Sequence, residues 1–271
     1  MLNIPLITTK PIILIDQSYY IFYRYFATYN WYKYRNVEDI DFDNINENSE
    51  FIMAFFRHFE NDINKIIKKY KTVKSNIIFC SDCMRCEIWR NEIYKDYKST
   101  RVRKENFNAL IFILFKNYIS NNNYNYCEID NLEADDITFI IQRKIKDEFN
   151  IYSIVIITND NDYLQMYDMN TIIINMQFKD ITLRIKHNPI SELEFKIIYG
   201  DKSDNIPKIQ TGMKKENAYK LANMKKEERN KYLEDNNLMY KYQLNKKLVD
   251  LREIPEKLIN DFNSKYNIIK K

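Results

Sequence analysis

The chain has 271 residues, 45% hydrophobic and 30% charged, a composition that argues against disorder and allows one large domain with an appendage. It has no run of about 18 apolar residues, and the initial "MLNIPLITTK" lacks the basic and apolar segments of a signal peptide. These features exclude a membrane-spanning helix and lead us to expect an intracellular protein without membrane contact.

The numbers of glycines and cysteines argue against two kinds of site, a glycine-rich phosphate loop and a cysteine metal cluster. Only Gly200 and Gly212 occur, so glycine-rich phosphate loops of the Rossmann or Walker type are almost excluded. "CSDCMRC" has the C-x2-C-x2-C spacing of a metal cluster, but one further cysteine and two distant histidines offer little support for it. We expect reduced thiols at all four positions. The cysteines are Cys80, Cys83, Cys86 and Cys127.

The first half of the chain alternates between apolar runs and helical patterns. "PIILID" predicts a buried strand that ends in an acid, and "SNIIFCSD" predicts a second one. "SYYIFYRYFATY" and "FIMAFFRHFENDINKIIKKY" predict helices between them. A basic, aromatic stretch follows over residues 85–108.

The second half continues this pattern. A helix near Ala109 to Ile119 precedes the short strand "NYCEI", and a helix from Leu132 to Phe149 precedes the strand "SIVIIT". "TIIINM" and "DITLRI" predict two further strands, antiparallel to each other. We predict an α/β fold with a mostly parallel central sheet flanked by helices over residues 1–190, followed by a lysine-rich helical region over 191–271.

Carboxylates follow several of the predicted strands. Asp16, Asp82 and the Asp160/Asp162 pair stand at strand ends, and Glu133 and Asp135 follow "NYCEI". In parallel α/β sheets, ligands lie beyond the carboxyl ends of the strands, so these acids are expected at one rim. Like charges packed together destabilise a fold unless a cation neutralises them, and hard oxygen ligands suit Mg²⁺ or Mn²⁺.

Each acid also has a purely structural explanation. Asp130 with Glu133 would form a capping box, Asp135 and Asp136 would interact with a helix dipole, and Asp162 and Asp204 would stabilise a cap and a turn. The net charge of +4 also has two explanations. If nine of the 38 acids lie in one pocket, 29 acids remain against 42 basic residues on the rest of the protein. A basic body around an acidic hole suits binding of a polyanion, and a mixed soluble surface explains the charge equally well.

Five motifs occur in a recognisable order. They are "LID", "CSD", "LEADD", "TNDNDYLQM" and "GDKSDNIPKI". Together they resemble the flap endonuclease superfamily of structure-specific 5′ nucleases, with the nearest likeness to phage ribonuclease H and related 5′→3′ exonucleases, over residues 11 to 222.

The resemblance implies a PIN-like core with two Mg²⁺ or Mn²⁺ ions and hydrolysis that leaves a 5′-phosphate and a 3′-hydroxyl. The implied ligands are Asp16, Asp82, Glu133 and Asp135 for the first ion and Asp160, Asp162 and Asp204 for the second, with Asp201 close by and Asp136 in an outer position. Two metal ions activate a water and stabilise the leaving oxygen, so no serine or histidine nucleophile is needed.

The resemblance also implies nucleic-acid contacts. Residues 85–108 would form a helical gateway in which Lys98 and Arg101 act on the scissile phosphate, although a solvated basic helix explains this stretch as well. By resemblance, Phe22 would stack on a terminal base, and Arg24 on the same helix would contact phosphate. Charge alone would let three further cations guide a 5′ strand, and these are Arg90, Arg103 and Lys104. Four lysines would bind duplex phosphates, and these are Lys208, Lys214, Lys215 and Lys220. Phe22 could equally belong to the core. "IPKIQTGMKKENAYKLA" departs from the glycine-rich helix-turn-helix of many relatives, which leaves the approach to duplex DNA and a K⁺ site in question.

We therefore predict a monomeric, Mg²⁺-dependent 5′ nuclease of DNA replication, compatible with a viral gene, that acts on 5′ flaps, nicks or RNA primers alongside other replication proteins. A PIN-like ribonuclease for single-stranded RNA would keep the strand-end acids without needing the basic gateway. A non-catalytic protein that binds branched DNA is the third hypothesis, and it would be expected to have lost metal ligands.

Overall fold

A computed structural model describes residues 1–35, 41, 44–45, 48–102, 106–149 and 153–270. Within these ranges the strands are Leu2–Leu6 (β1), Ile12–Asp16 (β2), Ile77–Cys80 (β3), Asn125–Cys127 (β4), Ile154–Ile157 (β5), Thr171–Ile174 (β6) and Tyr266–Lys270 (β7). The helices are Gln17–Arg35 (α1), Ser49–Tyr70 (α2), Arg90–Ile93 (α3), Leu110–Asn121 (α4), Ala134–Phe149 (α5), Pro189–Tyr199 (α6), Lys215–Ala222 (α7), Lys226–Asp235 (α8), Met239–Val249 (α9) and Glu256–Lys265 (α10).

Five parallel strands form the central sheet in the order β4-β3-β2-β5-β6. Every residue of β2, β3 and β5 is buried, as expected for strands that have helices on both faces. One face packs against α1, α2 and α4 through a core rich in phenylalanine and tyrosine, and the other packs against α5. The predicted α/β fold with a mostly parallel sheet is confirmed.

Local signals set the helix ends near the sheet. The Asp16 carboxylate accepts a hydrogen bond from the Tyr19 amide (3.0 Å), so the last residue of β2 also caps α1. Asn48 caps α2 through the Phe51 amide (2.9 Å). None of the described helices combines the length and the apolar character needed to cross a membrane.

Two predicted elements differ from the structure. "DITLRI" does not continue as a strand, because the Asp180 carboxylate accepts hydrogen bonds from both the amide and the hydroxyl of Thr182 and turns the chain into a 3₁₀ helix at Thr182–Arg184. The described part of the predicted gateway, residues 85–102 and 106–108, contains only a 3₁₀ turn and the four-residue α3. Two of its basic side chains, Arg90 and Lys98, are buried and face the carboxylates of the site.

The C-terminal region divides between two parts of the molecule. Helices α6 to α9 build a separate hydrophobic cluster, which also takes in Ile88 and Tyr97. Helix α10 and β7 instead return to the core, where β7 pairs in parallel with β1. Residues 191–270 are therefore mainly helical up to Lys265 and end in a strand. The division at residue 190 stays a prediction.

Candidate metal centre

Carboxylates from separate segments come together at the carboxyl edge of the sheet. Asp16 ends β2, and its second oxygen accepts a hydrogen bond from the Thr158 hydroxyl beyond β5 (2.8 Å). Asp82 lies beyond β3 and accepts a hydrogen bond from the Ala134 amide at the start of α5 (2.8 Å). The topology that places parallel strand ends side by side is what gathers these acids.

A first acidic group stands at the start of α5. One oxygen from each of Glu133, Asp135 and Asp136 lies within 4.8 Å of the others. The Asp136 carboxylate also accepts a hydrogen bond from the Glu133 amide (3.1 Å), as in one half of a capping box. The capping explanation therefore holds in part, with different partners from the Asp130–Glu133 pair.

A second acidic group joins the chain after β5 to the loop after α6. Asp162, Asp201 and Asp204 each place an oxygen within 4.8 Å of the others. Gly200 makes the loop possible, because its φ of +73° is left-handed and an added Cβ would come within 2.3 Å of the Ile206 carbonyl oxygen. Asp160 is exposed, and its carboxylate accepts a hydrogen bond from the Asp162 amide (3.0 Å).

Cationic side chains from the gateway segment bridge the two groups. Lys98 is buried, pairs with Glu133 in the first group and lies 3.7 Å from Asp204 in the second. Arg101 pairs with Asp204 (2.5 Å), and the Tyr97 hydroxyl donates to Glu133 (2.9 Å). The inward turn of this segment is therefore explained by charge, because buried carboxylates require cationic or hydrogen-bonded partners.

Two further cations, Lys196 and Arg90, make the remaining ion pairs. Lys196 of α6 pairs with Asp162 and, at 2.6 Å, with Asp201. Arg90 is 1% exposed and pairs with Glu133 (2.9 Å) and Asp136 (2.7 Å). The guanidinium therefore faces the interior, which argues against the predicted contact between Arg90 and a nucleic-acid strand.

The acids differ in how burial and neighbouring charges set their pKa. Burial and then the Asp82 charge raise the pKa of Asp16 to about 7, and burial with its neighbours Asp136 and Glu133 raises that of Asp135 well above its usual range. Burial also acts against ionised Glu133, but Lys98 and Arg90 outweigh it and hold the pKa of Glu133 at about 2. Asp16 and Asp135 are thus sites where an added cation would relieve electrostatic repulsion.

The donor set fits a hard divalent cation. Asp16, Asp82, Asp135 and Asp160 supply carboxylate oxygens that make no ion pair with any described cation. Oxygen ligands of this kind suit Mg²⁺, Mn²⁺ or Ca²⁺ rather than softer metals. Asp136 fits less well as a direct ligand, because both of its oxygens already accept hydrogen bonds from Arg90.

Two implied strand contacts on α1 are engaged within the protein. Arg24 pairs with Asp62, and its side chain is only 12% exposed. Phe22 packs against Phe107 with a centroid distance of 4.4 Å and against Phe112 at 5.8 Å. This favours the core explanation for Phe22 and makes Arg24 a poor phosphate contact.

The implied duplex contacts lie around α7. Lys214, Lys215 and Lys220 are exposed, and Lys208 donates a hydrogen bond to the Met213 carbonyl (2.9 Å). Arg103 and Lys104, the remaining predicted contacts, lie outside the described residues. Three of these lysines therefore remain available for an anionic ligand.

Sequence reasoning missed Lys196, Tyr97 and the inward role of Arg90. A lysine four residues before Gly200, on a helix that leads into "GDKSDN", was the available signal for Lys196. None of the four cysteines, all within the described residues, forms a disulfide, and the C-x2-C-x2-C set runs from buried Cys80 to exposed Cys86. The two histidines pack against aromatic rings, His58 on Trp31 and His187 on Tyr219.

Comparisons with known proteins agree with this geometry. Residues 11–193 match the family model described as 5′-3′ exonuclease, N-terminal resolvase-like domain. A 5′-3′ exonuclease of Mycoplasmopsis pulmonis is 31% identical over 226 residues, which cover 75% of each chain.

Two solved structures share the fold at 15% sequence identity. The T5 5′-exonuclease with bound zinc ions has a TM-score of 0.61 and covers 94% of this chain and 98% of its own. The bacteriophage T5 flap endonuclease, in a pseudo-enzyme-product complex with DNA and metal ions, has a TM-score of 0.59 and covers 94% and 97%. With the family model and the curated relative, the site assigns this chain to the 5′-3′ exonuclease family of nucleases.

Proposed function

We propose that this chain is a Mg²⁺-dependent, structure-specific 5′ nuclease that hydrolyses phosphodiesters in DNA flaps, nicks or RNA–DNA hybrids during replication. The observation that supports this most is the meeting of strand-end carboxylates beside two acidic groups that Lys98 bridges. The bacteriophage T5 relative of the same fold binds DNA with metal ions, which agrees with this proposal.

The carboxylates would hold two divalent cations. Asp16, Asp82 and Asp135 with Glu133 would hold one, and Asp160, Asp162 and Asp204 the other, with Asp201 beside them. When bound, such a pair supplies an activated water and stabilises the leaving oxygen of an in-line displacement. Mg²⁺ suits sites that combine a few carboxylates with substrate phosphate oxygens.

Side chains of the gateway segment would act on the scissile phosphate. Lys98 and Arg101 already lie against Glu133 and Asp204, so they stand beside the position where a phosphodiester would meet the carboxylates. A cation at that position offsets negative charge that develops in the transition state. Exposed Lys214, Lys215 and Lys220 would bind phosphates of the adjoining duplex through charge.

The direct test uses three 5′-labelled substrates: a flapped duplex, a nicked duplex and an RNA-primed DNA. Each is incubated with purified protein in Mg²⁺ or in EDTA, and the product ends are mapped. We expect Mg²⁺-dependent cleavage that leaves 5′-phosphate and 3′-hydroxyl ends. The Asp135→Asn protein, purified in parallel, reveals any contaminating nuclease.

Two other outcomes would favour the rival functions. Cleavage of single-stranded RNA, with flapped DNA left intact, would favour a PIN-like ribonuclease. Tight binding to flapped DNA without cleavage in Mg²⁺ or Mn²⁺ would favour a non-catalytic binding protein.

A further inference from the structure

Arg90 is the most deeply buried cation of the acidic rim, and four of its N–H groups are bonded. Its two terminal nitrogens donate to the two oxygens of Asp136 at 2.7 and 2.8 Å, and one of them also donates to Glu133 at 2.9 Å. Its Nε donates to the main-chain carbonyl of Leu248 at 2.9 Å. One side chain thus joins the start of α5 to the end of α9.

Asp136 has no oxygen to spare in this network. The oxygen that faces Arg90 Nη1 also accepts hydrogen bonds from the Trp89 indole (3.0 Å) and the Glu133 amide (3.1 Å). Asp136 is fully buried. Its carboxylate is therefore an anchor for Arg90, and through Arg90 it fixes the Glu133 carboxylate next to Asp135.

A second link runs from the same end of α9 to the other acidic group. The side-chain Nε2 of Gln165 donates to the main-chain carbonyls of Val249 (3.2 Å) and Asp162 (2.9 Å). Its Oε1 accepts a hydrogen bond from the Leu251 amide (2.9 Å). Residues 248–251 therefore form hydrogen bonds with Arg90, which contacts the first acidic group, and with Gln165, which contacts the main chain of the second. The helix that leads to them belongs to the cluster of α6 to α9, which carries the exposed lysines.

We propose that Arg90 is a positioning residue for the metal centre, supported by Gln165, and that the end of α9 holds the two acidic groups in one arrangement. This inference rests on the proposed function, because it assigns Glu133 and Asp162 to a metal site. It replaces a role for Arg90 in guiding the substrate strand. Partners that orient metal ligands commonly change metal affinity by about 10- to 100-fold when they are altered.

The test is a calorimetric Mn²⁺ titration of the full chain without nucleic acid. Arg90→Lys keeps the positive charge but removes the fork and the bond to Leu248, so we expect Mn²⁺ affinity to fall about tenfold or more. Arg143→Lys is the matched control, since Arg143 is exposed on α5 and lies over the Phe139 ring. Gln165→Leu serves as a second variant if Arg90→Lys does not fold, with the same direction of change expected.

Cleavage kinetics supply the second measurement. We expect kcat of Arg90→Lys to fall while KM for flapped DNA stays within about twofold, and excess Mn²⁺ to restore part of kcat. Unchanged Mn²⁺ affinity together with weaker DNA binding that depends less steeply on salt would overturn the inference and return Arg90 to strand guiding. If the unaltered protein itself binds no Mn²⁺, the proposed function fails, which is a different result.

Discussion

The carboxylates of the rim fall into two sets that differ in what neutralises them. The paired carboxylates make ion pairs with Arg90, Lys98, Arg101 or Lys196, and they are Glu133, Asp136, Asp162, Asp201 and Asp204. The open carboxylates make no ion pair with a described cation, and they are Asp16, Asp82, Asp135 and Asp160. The two sets are interleaved, since paired Glu133 lies next to open Asp135 in one acidic group.

This difference separates carboxylates whose charge the protein already neutralises from those whose charge only an added cation would neutralise. A buried carboxylate bonded to a guanidinium is costly to disturb, because removing one partner leaves the other charge uncompensated. An open carboxylate destabilises the folded protein through repulsion from neighbouring carboxylates, and it attracts an added cation. Activity should therefore depend most on the open set, and stability most on the paired set.

Asp135→Asn should have the largest effect. It removes a charge from the open set while leaving the paired set intact, so we expect kcat on flapped DNA to fall about 1,000-fold or more, on the scale of a lost transition-state contact. Binding of the same DNA in Ca²⁺ should stay within about threefold. Single-turnover cleavage and a binding titration measure the two quantities.

Asp147→Asn is the control, because Asp147 is exposed on the same helix. Normal cleavage by Asp135→Asn would remove the metal-dependent mechanism. Equal loss in both variants would trace the effect to α5 as a whole rather than to the rim.

Asp136→Asn should instead act on stability. The substitution leaves the buried Arg90 guanidinium without its bidentate carboxylate, so we expect the free energy of unfolding to drop by about 3 kcal/mol. Urea denaturation in EDTA measures this without any contribution from metal. Glu148→Gln, which breaks an exposed pair with Lys144 at 3.9 Å, should change it by less than about 1 kcal/mol. Similar losses in the two variants would contradict the division into sets.

The division could be predicted from the sequence only in part. Asp16, Asp82 and Asp160 could be predicted, because an acid that follows a buried strand of a parallel sheet lies at the carboxyl edge, where ligands bind. The cations that pair with the carboxylates could not be predicted, since Arg90 and Lys98 lie in a basic stretch that a solvated helix explains equally well. Which way a long side chain turns depends on burial and on charges brought from distant segments, as the bond from Arg90 to Leu248 shows. The return of β7 to β1 was missed because such pairing leaves no local signal.

Lys98→Ala probes the link between the two acidic groups. Lys98 pairs with Glu133 and lies near Asp204, so its removal takes a cation from both acidic groups. We expect the single-turnover cleavage rate to fall about 100-fold, as for loss of one charge-stabilising donor, with a smaller change in DNA affinity. Lys95→Ala, at an exposed position of the same segment, is the control. A loss confined to affinity would place Lys98 in substrate binding alone.

Asp16→Asn should have the smallest effect on the free energy of unfolding, and it should stabilise the protein where Asp136→Asn destabilises it. Asp16 is 8% exposed and is repelled by Asp82, so the neutral variant should unfold with a free energy about 1 kcal/mol higher in EDTA. The gain is limited, because asparagine offers only one oxygen in place of the two that accept from Tyr19 and Thr158. The stabilisation by Mg²⁺ should shrink in the same variant, since a ligand stabilises only the state that binds it. Asp160→Asn is the comparison, because exposure screens its charge and the stability in EDTA should hardly change. A less stable Asp16→Asn protein in EDTA would contradict this prediction, because it would mean that Asp16 matters more as the cap of α1 than as a site of repulsion.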